Sequence, residues 1–110
     1  MVELLEHASA PACPRCGRLL KPDVVMFGEL LPEHALERAF ALAEAAALML
    51  VVGSSLEVHP VAGLPQATLE AGGELAIVNR TPTRYDPDAA AVLRDDAGVV
   101  LPRVVEALTP

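Results

Sequence analysis

Aromatic rings and positive charge are what this 110-residue sequence has least of: Trp is absent, Tyr occurs once, Phe twice, and Lys and Arg total 8 against 15 Asp and Glu. So few rings exclude a core built on aromatic stacking. The 53% of residues that are hydrophobic must pack largely as Ala, Val and Leu, a composition suited to helices lying close on a buried sheet. A net charge of −7 with scattered basic residues lacks the positive face that nucleic acid or an anionic membrane surface requires. The apolar stretch from Ala39 to Gly53, broken only by Glu44, falls short of the roughly 18 to 20 residues of a bilayer span and reads as a helix running into a strand. Met1-Val2-Glu3-Leu4-Leu5-Glu6-His7 has neither the basic start nor the long apolar run of a secretory signal. With both Cys in one short motif, a reducing cytoplasm is the expected compartment. Also missing are a G-x-G-x-x-G turn, a Walker sequence, a Ser/His/Asp set and H-E-x-x-H. His7, His34 and His59 stand in separate contexts and read as surface or packed histidines. The length suits one small domain, or part of one.

What is present falls into three zones. Residues 1–22 carry Pro11, Pro14, Gly17 and Pro22 around Cys13 and Cys16, too much turn chemistry for a regular element. The apolar run Asp23 to Glu29 fits a short strand or an extended loop. From Pro32 the period becomes helical, with Leu36, Ala39, Phe40, Ala43 and Ala47 on one face and Pro32 in the first turn. Leu48 to Val52 is continuously apolar and ends at Gly53, which predicts a central parallel strand covered on both faces. Pro60 to Ala71 reads as a helix stopped by Gly72-Gly73, and Leu75 to Val78 as the next strand. Asp86-Pro87-Asp88 looks like the cap and first turn of a helix over Ala89 to Arg94. Gly98 to Leu101 predicts a third strand, and Pro102 the start of a last helix to Leu108. This alternation predicts a parallel sheet with right-handed crossovers and helices on both faces.

Ligands of open parallel sheets bind beyond the carboxyl ends of the strands. That points to Gly53-Ser54-Ser55, Asn79-Arg80-Thr81 and Ala97-Gly98, small and polar residues able to reach a phosphate or a ribose; on local grounds alone they equally suit ordinary turns. Cys13-Pro14-Arg15-Cys16-Gly17 has the spacing of a knuckle that holds two thiolates about one metal, with Arg18 and Lys21 favouring the thiolate form. A redox pair and two plain thiols are the competing readings, although a redox pair would open a helix after a strand. Glu29, Glu57, Asp95 and Asp96 are candidate site carboxylates for which solvated charge is the default.

Read in order, several segments resemble the sirtuins, NAD-dependent protein-lysine deacylases. Cys13-Pro14-Arg15-Cys16-Gly17, then Leu20 to Glu29 and Leu31-Pro32, resemble the family's zinc knuckle and acyl-lysine loop. Val51 to Pro60 resembles its G-T-S-L-x-V-x-P segment, and Ala76-Ile77-Val78-Asn79 its strand ending in Asn. The resemblance implies an α/β fold, the C-terminal half of a Rossmann-like parallel sheet with flanking helices, preceded by a partial zinc-ribbon knuckle. It divides the chain into a knuckle segment, 1–22, and part of the NAD-binding domain, 23–110, which includes the acyl-lysine loop 23–31. It implies that Gly53, Ser54 and Ser55 lie along the ribose and phosphate of NAD, Asn79, Arg80 and Thr81 at the adenosine ribose, and Ala97 against the adenine. Val25, Met26, Phe27, Gly28 and Glu29 would pair with an acyl-lysine protein or peptide, with Val25 and Phe27 lining the acyl-lysine tunnel, and Cys13 and Cys16 would be half of a four-cysteine zinc site.

The implied reaction releases nicotinamide and forms 2′-O-acyl-ADP-ribose. Ser54 replaces the usual Thr and Met26 an aromatic. The family's glycine-rich turn, histidine base and first cysteine pair all precede the knuckle, and no counterpart precedes Cys13; His7 is too close to it to be the base. The expectation is therefore a truncated chain, inactive alone and holding no stoichiometric zinc as a monomer unless His7 or another chain adds ligands. The alternatives are a module binding NAD, ADP-ribose or acyl-lysine, and a half-enzyme completed by a homo-oligomer or a complementing chain. A remnant without function is the third alternative.

Overall fold

The computed structural model of the protein describes residues 10–110. His7, and with it the start of the 1–22 knuckle segment, lies outside the described residues. The chain divides into two compact units between Leu31 and Pro32, so loop 23–31 falls in the same unit as the cysteines rather than with the sheet.

In the first unit backbone hydrogen bonds close a tight hairpin. Ala12 and Leu19 form an isolated antiparallel bridge, Cys13 N–H donates to Arg18 O at 2.8 Å, and Gly17 N–H donates to Cys13 O at 2.8 Å. Gly17 makes the turn at φ +69°, a left-handed conformation that a side chain would disfavour. The run Asp23 to Glu29 forms no strand; it is a loop ending in a turn with Gly28 at φ +85° and Glu29 N–H donating to Met26 O at 3.0 Å. No described residue of this unit is buried.

The second unit is a three-stranded parallel sheet with flanking helices. Helix α1 is Glu33–Ala45, strand β1 Leu48–Val52, helix α2 Leu64–Glu70, strand β2 Glu74–Val78, strand β3 Ala91–Leu93 and helix α3 Ala97–Leu108. Pro32 stands at the N-cap of α1. Of its expected inner face, Leu36, Ala39 and Phe40 are half-buried and Ala43 is buried, whereas Ala47 lies beyond the helix and is exposed. A single 3₁₀ turn, Val61–Gly63, leads into α2, so the segment expected as one helix from Pro60 is helical in two forms.

Thr68 of α2, fully buried, donates its hydroxyl to Ala43 O at 2.7 Å and ties α2 to the end of α1. Left unpaired, a buried hydroxyl would cost about 1–3 kcal/mol. After α2, Gly72 turns at φ +90°. Gly73 passes so close to α1 that a Cβ there would lie 2.4 Å from Ala46 O and 2.7 Å from Thr68 Cγ2. The glycine pair is thus both a helix stop and a packing requirement.

The sheet order is β1-β2-β3, with Leu48 to Val52 opposite Glu74 to Val78 and Ala76 to Val78 opposite Ala91 to Leu93. Three expectations are corrected by this arrangement. Among the three described strands the middle one is β2, whose Leu75 and Ile77 are completely buried, while β1, expected to be covered on both faces, has Leu48 and Leu50 58% and 52% exposed. A continuous apolar run identifies a strand but does not say which neighbours it has.

The second correction concerns Ala89 to Arg94, which is not helical. Pairing with β2, joined by Ala90 N–H donating to Leu75 O at 2.8 Å, overrides the helical preference of its alanines. The 3₁₀ turn Asp86–Asp88 is all that forms of the expected helix. Third, Gly98 to Leu101 is no strand. Asp96 caps the helix through Oδ1, which accepts from Gly98 N–H at 2.8 Å, and α3 then runs through Pro102 instead of starting there. The third strand therefore precedes the expected one, and β2 reaches β3 with no α-helix between them.

The core is Val51, Leu56, Leu75, Ile77 and Tyr85, with Met49, Leu69 and Ala89 packed at its margin. The one tyrosine is buried because its hydroxyl donates to Ala62 O at 2.7 Å, which fastens the segment after β2 to the 3₁₀ turn before α2. Among the described residues no helix is long and apolar enough to cross a membrane.

Candidate functional site

Beyond the carboxyl ends of β1 and β2 the parallel ladder extends by one residue on each strand. Gly53 N–H donates to Val78 O at 2.9 Å, and Asn79 N–H donates to Leu93 O at 3.1 Å. These bonds set Gly53, Asn79 and the start of the segment after β3 side by side. Gly53 then leaves the sheet at φ +63°. A cavity of about 200 Å³ lies here, lined by Gly53, Val78, Asn79, Arg80, Asp95, Asp96 and Ala97. Drug-sized ligands usually occupy about 300–1,000 Å³. The space therefore suits one nucleoside-sized portion of a larger molecule.

Each wall of the cavity is held from behind. Asn79 Nδ2 donates to Thr81 O at 2.9 Å and to Thr81 Oγ1 at 3.2 Å, leaving Oδ1 as the acceptor end of the amide. Asp95 Oδ1 accepts from Asp96 N–H at 2.8 Å, and Asp96 Oδ1 accepts from Gly98 N–H at 2.8 Å. Each carboxylate thus has one oxygen committed to backbone. Carboxylates and an amide oxygen are acceptors for ribose hydroxyls, and Arg80 brings a cation to the same lining. The positive end of α3 also faces this rim, with Ala97 as the first helical residue.

Arg94 lies directly behind these walls. Its Nη1 donates to Asn79 O at 3.2 Å and to Thr81 O at 2.9 Å, and its Nη2 pairs with Asp86. Asp86 also accepts from Thr83 N–H at 3.1 Å and from Thr83 Oγ1 at 2.7 Å. Partial burial pushes the Asp86 carboxyl up, but the Thr83 bonds and the Arg94 guanidinium outweigh it and hold the group below its ordinary value.

Of the residues expected at a nucleotide, Gly53, Asn79, Arg80 and Ala97 are brought together in the lining, whereas Ser54, Ser55 and Thr81 are not part of it. Ser54 Oγ instead accepts from Leu56 N–H at 3.2 Å, bracing a turn in which Leu56 has a φ of +56°. Thr81 supplies two acceptors to Asn79. Asp95 and Asp96, expected only as candidate site carboxylates with solvated charge as the default, also line the cavity, as does Val78, for which no role was expected. The signal that could have found the aspartates is Asp95-Asp96 ahead of the apolar period of α3, which marks an N-cap, and helix N-termini after parallel strands are where such ligands sit. Reading Gly98 to Leu101 as a strand concealed it. Arg94, Asp86 and Thr83 left no comparable mark.

In the first unit, Cys13 and Cys16 are free thiols on one hairpin. The N–H groups of Arg15 and Cys16, together with the Cys16 side chain, lower the Cys13 pKa below its ordinary value. No cluster of three or more potential metal ligands occurs among the described residues. In the loop, Glu29 accepts from Lys21 Nζ at 2.8 Å and from Met26 N–H at 3.1 Å, contacts that hold its carboxyl below the usual range. The bonds pin both ends of a loop whose Val25, Met26 and Phe27 are exposed, Phe27 at 93%. His34 and His59 are exposed, and neither lines the cavity.

Comparison with known proteins adds to this geometry. The sequence model of the Sir2 family matches residues 1–60. An NAD-dependent protein deacylase of Pyrococcus furiosus is 50% identical over 96 residues, which make up 87% of this chain and 38% of that protein. An NAD-dependent protein deacetylase of Thermotoga maritima is 42% identical over 106 residues, 96% of this chain and 43% of that protein. A solved complex of Sir2 with a p53 peptide and NAD+ superposes with a TM-score of 0.82 at 42% identity, covering 96% of this chain and 44% of that one. The chain spans about two fifths of the length of the curated relatives it matches.

Proposed function

The chain belongs to the Sir2 family, and from that premise we propose that it serves NAD-dependent removal of acyl groups from protein lysines, with these 110 residues supplying the adenosine side of the NAD site and the peptide-binding loop. The observation that carries this reading is that Gly53, Asn79, Arg80 and Ala97 line one cavity at the carboxyl ends of parallel strands. The fit is chemical as well as topological: acceptors for ribose hydroxyls, a glycine that admits close backbone approach, and room for about one nucleoside. Asn79 and Arg80 would hold the adenosine ribose and Ala97 the adenine. Ser54, Ser55 and Thr81, just outside the lining, would meet the ribose and phosphates.

When bound, NAD supplies the ribosyl carbon that accepts the acyl oxygen as nicotinamide leaves. This chain's own residues contribute position rather than a proton relay. The exposed Val25 to Glu29 loop, pinned by Glu29 to Lys21 and Met26, would pair with the substrate backbone as an added strand and offer Val25 and Phe27 to the acyl-lysine chain. Neither described histidine lies at the cavity, so the 110 residues alone are proposed to bind without turnover. Cys13 and Cys16 fit two of the four ligands of a structural zinc, which would tighten the hairpin and take no part in the chemistry. Two unpaired thiols suit a reducing cytoplasm.

Calorimetric titration of the chain with ADP-ribose, NAD and nicotinamide mononucleotide tests the reading. ADP-ribose and NAD should bind alike, nicotinamide mononucleotide should not, and Asn79→Ala should abolish the difference. Equal binding of all three, or none above that of an unrelated protein, would remove the adenosine assignment. Nicotinamide release from NAD and an acetyl-lysine peptide by the 110 residues alone would overturn the claim that they only bind.

A further inference from the structure

We infer that Arg94 is a positioning residue that latches the two walls of the cavity to one another and thereby sets affinity for the adenosine half of the ligand, an inference that rests on the adenosine assignment above. Arg94 directly follows β3, where Leu93 O accepts the last ladder bond from Asn79 N–H. The next residues, Asp95 to Ala97, form one wall. The guanidinium reaches back to the opposite wall, where Nη1 is shared between the carbonyls of Asn79 and Thr81. Holding both carbonyls fixes the Asn79–Arg80 and Thr81–Pro82 peptide planes, which flank the Arg80–Thr81 step. The turn is thereby kept in the shape in which the Asn79 amide lies against Thr81 and Asn79 and Arg80 face the cavity.

Asp86 aims the guanidinium and is itself oriented by two bonds from Thr83. The result is a relay from Thr83 through Asp86 and Arg94 to the Asn79–Thr81 turn. Stability alone gives such a relay little purpose. The Arg94 and Asp86 side chains remain 37% and 18% exposed, and ion pairs so placed typically contribute little to folding. Nor could lysine substitute, because one ammonium has no planar fork with which to span two carbonyls and a carboxylate.

The experiment compares Arg94→Ala with the unaltered 110-residue chain by two readouts. The first needs no ligand: the Asn79 side-chain amide resonances in a nuclear magnetic resonance spectrum should move toward those of a free amide in the variant. The second is titration with ADP-ribose, whose affinity should fall about tenfold, a change of about 1.4 kcal/mol, while the thermal midpoint shifts little. Ethylguanidinium at millimolar concentration should restore both readouts, and Arg94→Lys should restore neither. Unchanged Asn79 resonances together with unchanged affinity would overturn the inference, as would a loss that ethylguanidinium leaves untouched. If Arg94→Ala does not fold, Asp86→Asn takes its place; it should show a smaller loss in the same direction, and parent-like behaviour in both readouts would overturn the relay. Failure of the unaltered chain to bind ADP-ribose would sink the adenosine assignment instead, and the Asn79 resonances would still decide whether Arg94 holds the turn.

Discussion

The segment before Leu31 and the unit after it are held by different forces. Among its described residues the first buries no side chain and is stitched by backbone bonds across the hairpin and by the Lys21–Glu29 pair. The second rests on Leu75, Ile77 and Val78, all 2% exposed or less, and on buried hydroxyls that each have a partner. Burial is the dominant favourable term in folding, and exposed hydrogen bonds compete with water. The sheet unit is therefore the stable scaffold that positions the cavity. The cysteine hairpin and the exposed loop have no buried core among their described residues.

The contrast can be broken most severely in the core. Ile77→Ala removes a fully buried side chain from the central strand and should cost about 2–5 kcal/mol, seen in urea denaturation as a lower midpoint and in titration as lost ADP-ribose binding. A small effect would mean that the sheet is not the scaffold. Next in size is Gly73→Ala. Its Cβ would have to move Ala46 O or Thr68, and overpacking of this kind costs about 1–3 kcal/mol. The thermal midpoint of the sheet unit should drop while Cys13 alkylation is unchanged.

A milder test uses acid. Asp86 ionises in the folded chain at a lower pH than its ordinary 3.8, so the folded state binds fewer protons there than the unfolded one. The stabilisation is complete above about pH 4 and is lost as pH falls through the depressed folded value. Asp86→Asn should flatten this acid limb in denaturation curves, its modest loss of stability showing near neutrality and disappearing in acid. The smallest effect belongs to the hairpin. Cys13 should react with iodoacetamide with a pH midpoint below 9.0, zinc should slow that reaction, and the sheet unit's denaturation midpoint should not respond to either. A midpoint that followed the metal would show that the two parts are not separately stabilised.

The elements legible in sequence were those whose signal is local. Leu36, Ala39, Phe40 and Ala43 mark α1 by their spacing, and Leu48 to Val52 and Leu75 to Val78 mark two strands bounded by Gly53 and Asn79. The same logic failed on Ala89 to Leu101. Short apolar runs there fit helix or strand equally, and distant partners decided: Leu75 O took the Ala90 N–H, and Asp96 capped a helix where a strand was expected. The candidate site divides in the same way. Gly53, Asn79 and Arg80 could be placed because they follow strands, and Ala97 because it stands beside the last expected strand and matches a known family. Asp95 and Asp96 were legible only as candidate carboxylates, because the wall they form exists only once β3 stands beside β2.

By itself, then, the sequence determined an aliphatic parallel α/β scaffold, membership of a deacylase family, the paired cysteines and the residues after its first two strands, because periodicity, turn chemistry and motif order are properties of neighbours along the chain. Only the tertiary structure decided that β2 is central, that β3 precedes Arg94, and that Arg94 joins Asn79, Thr81 and Asp86 behind one cavity. Those contacts span 8 to 15 positions, and their geometry comes from the parallel register of the sheet, which no local pattern records.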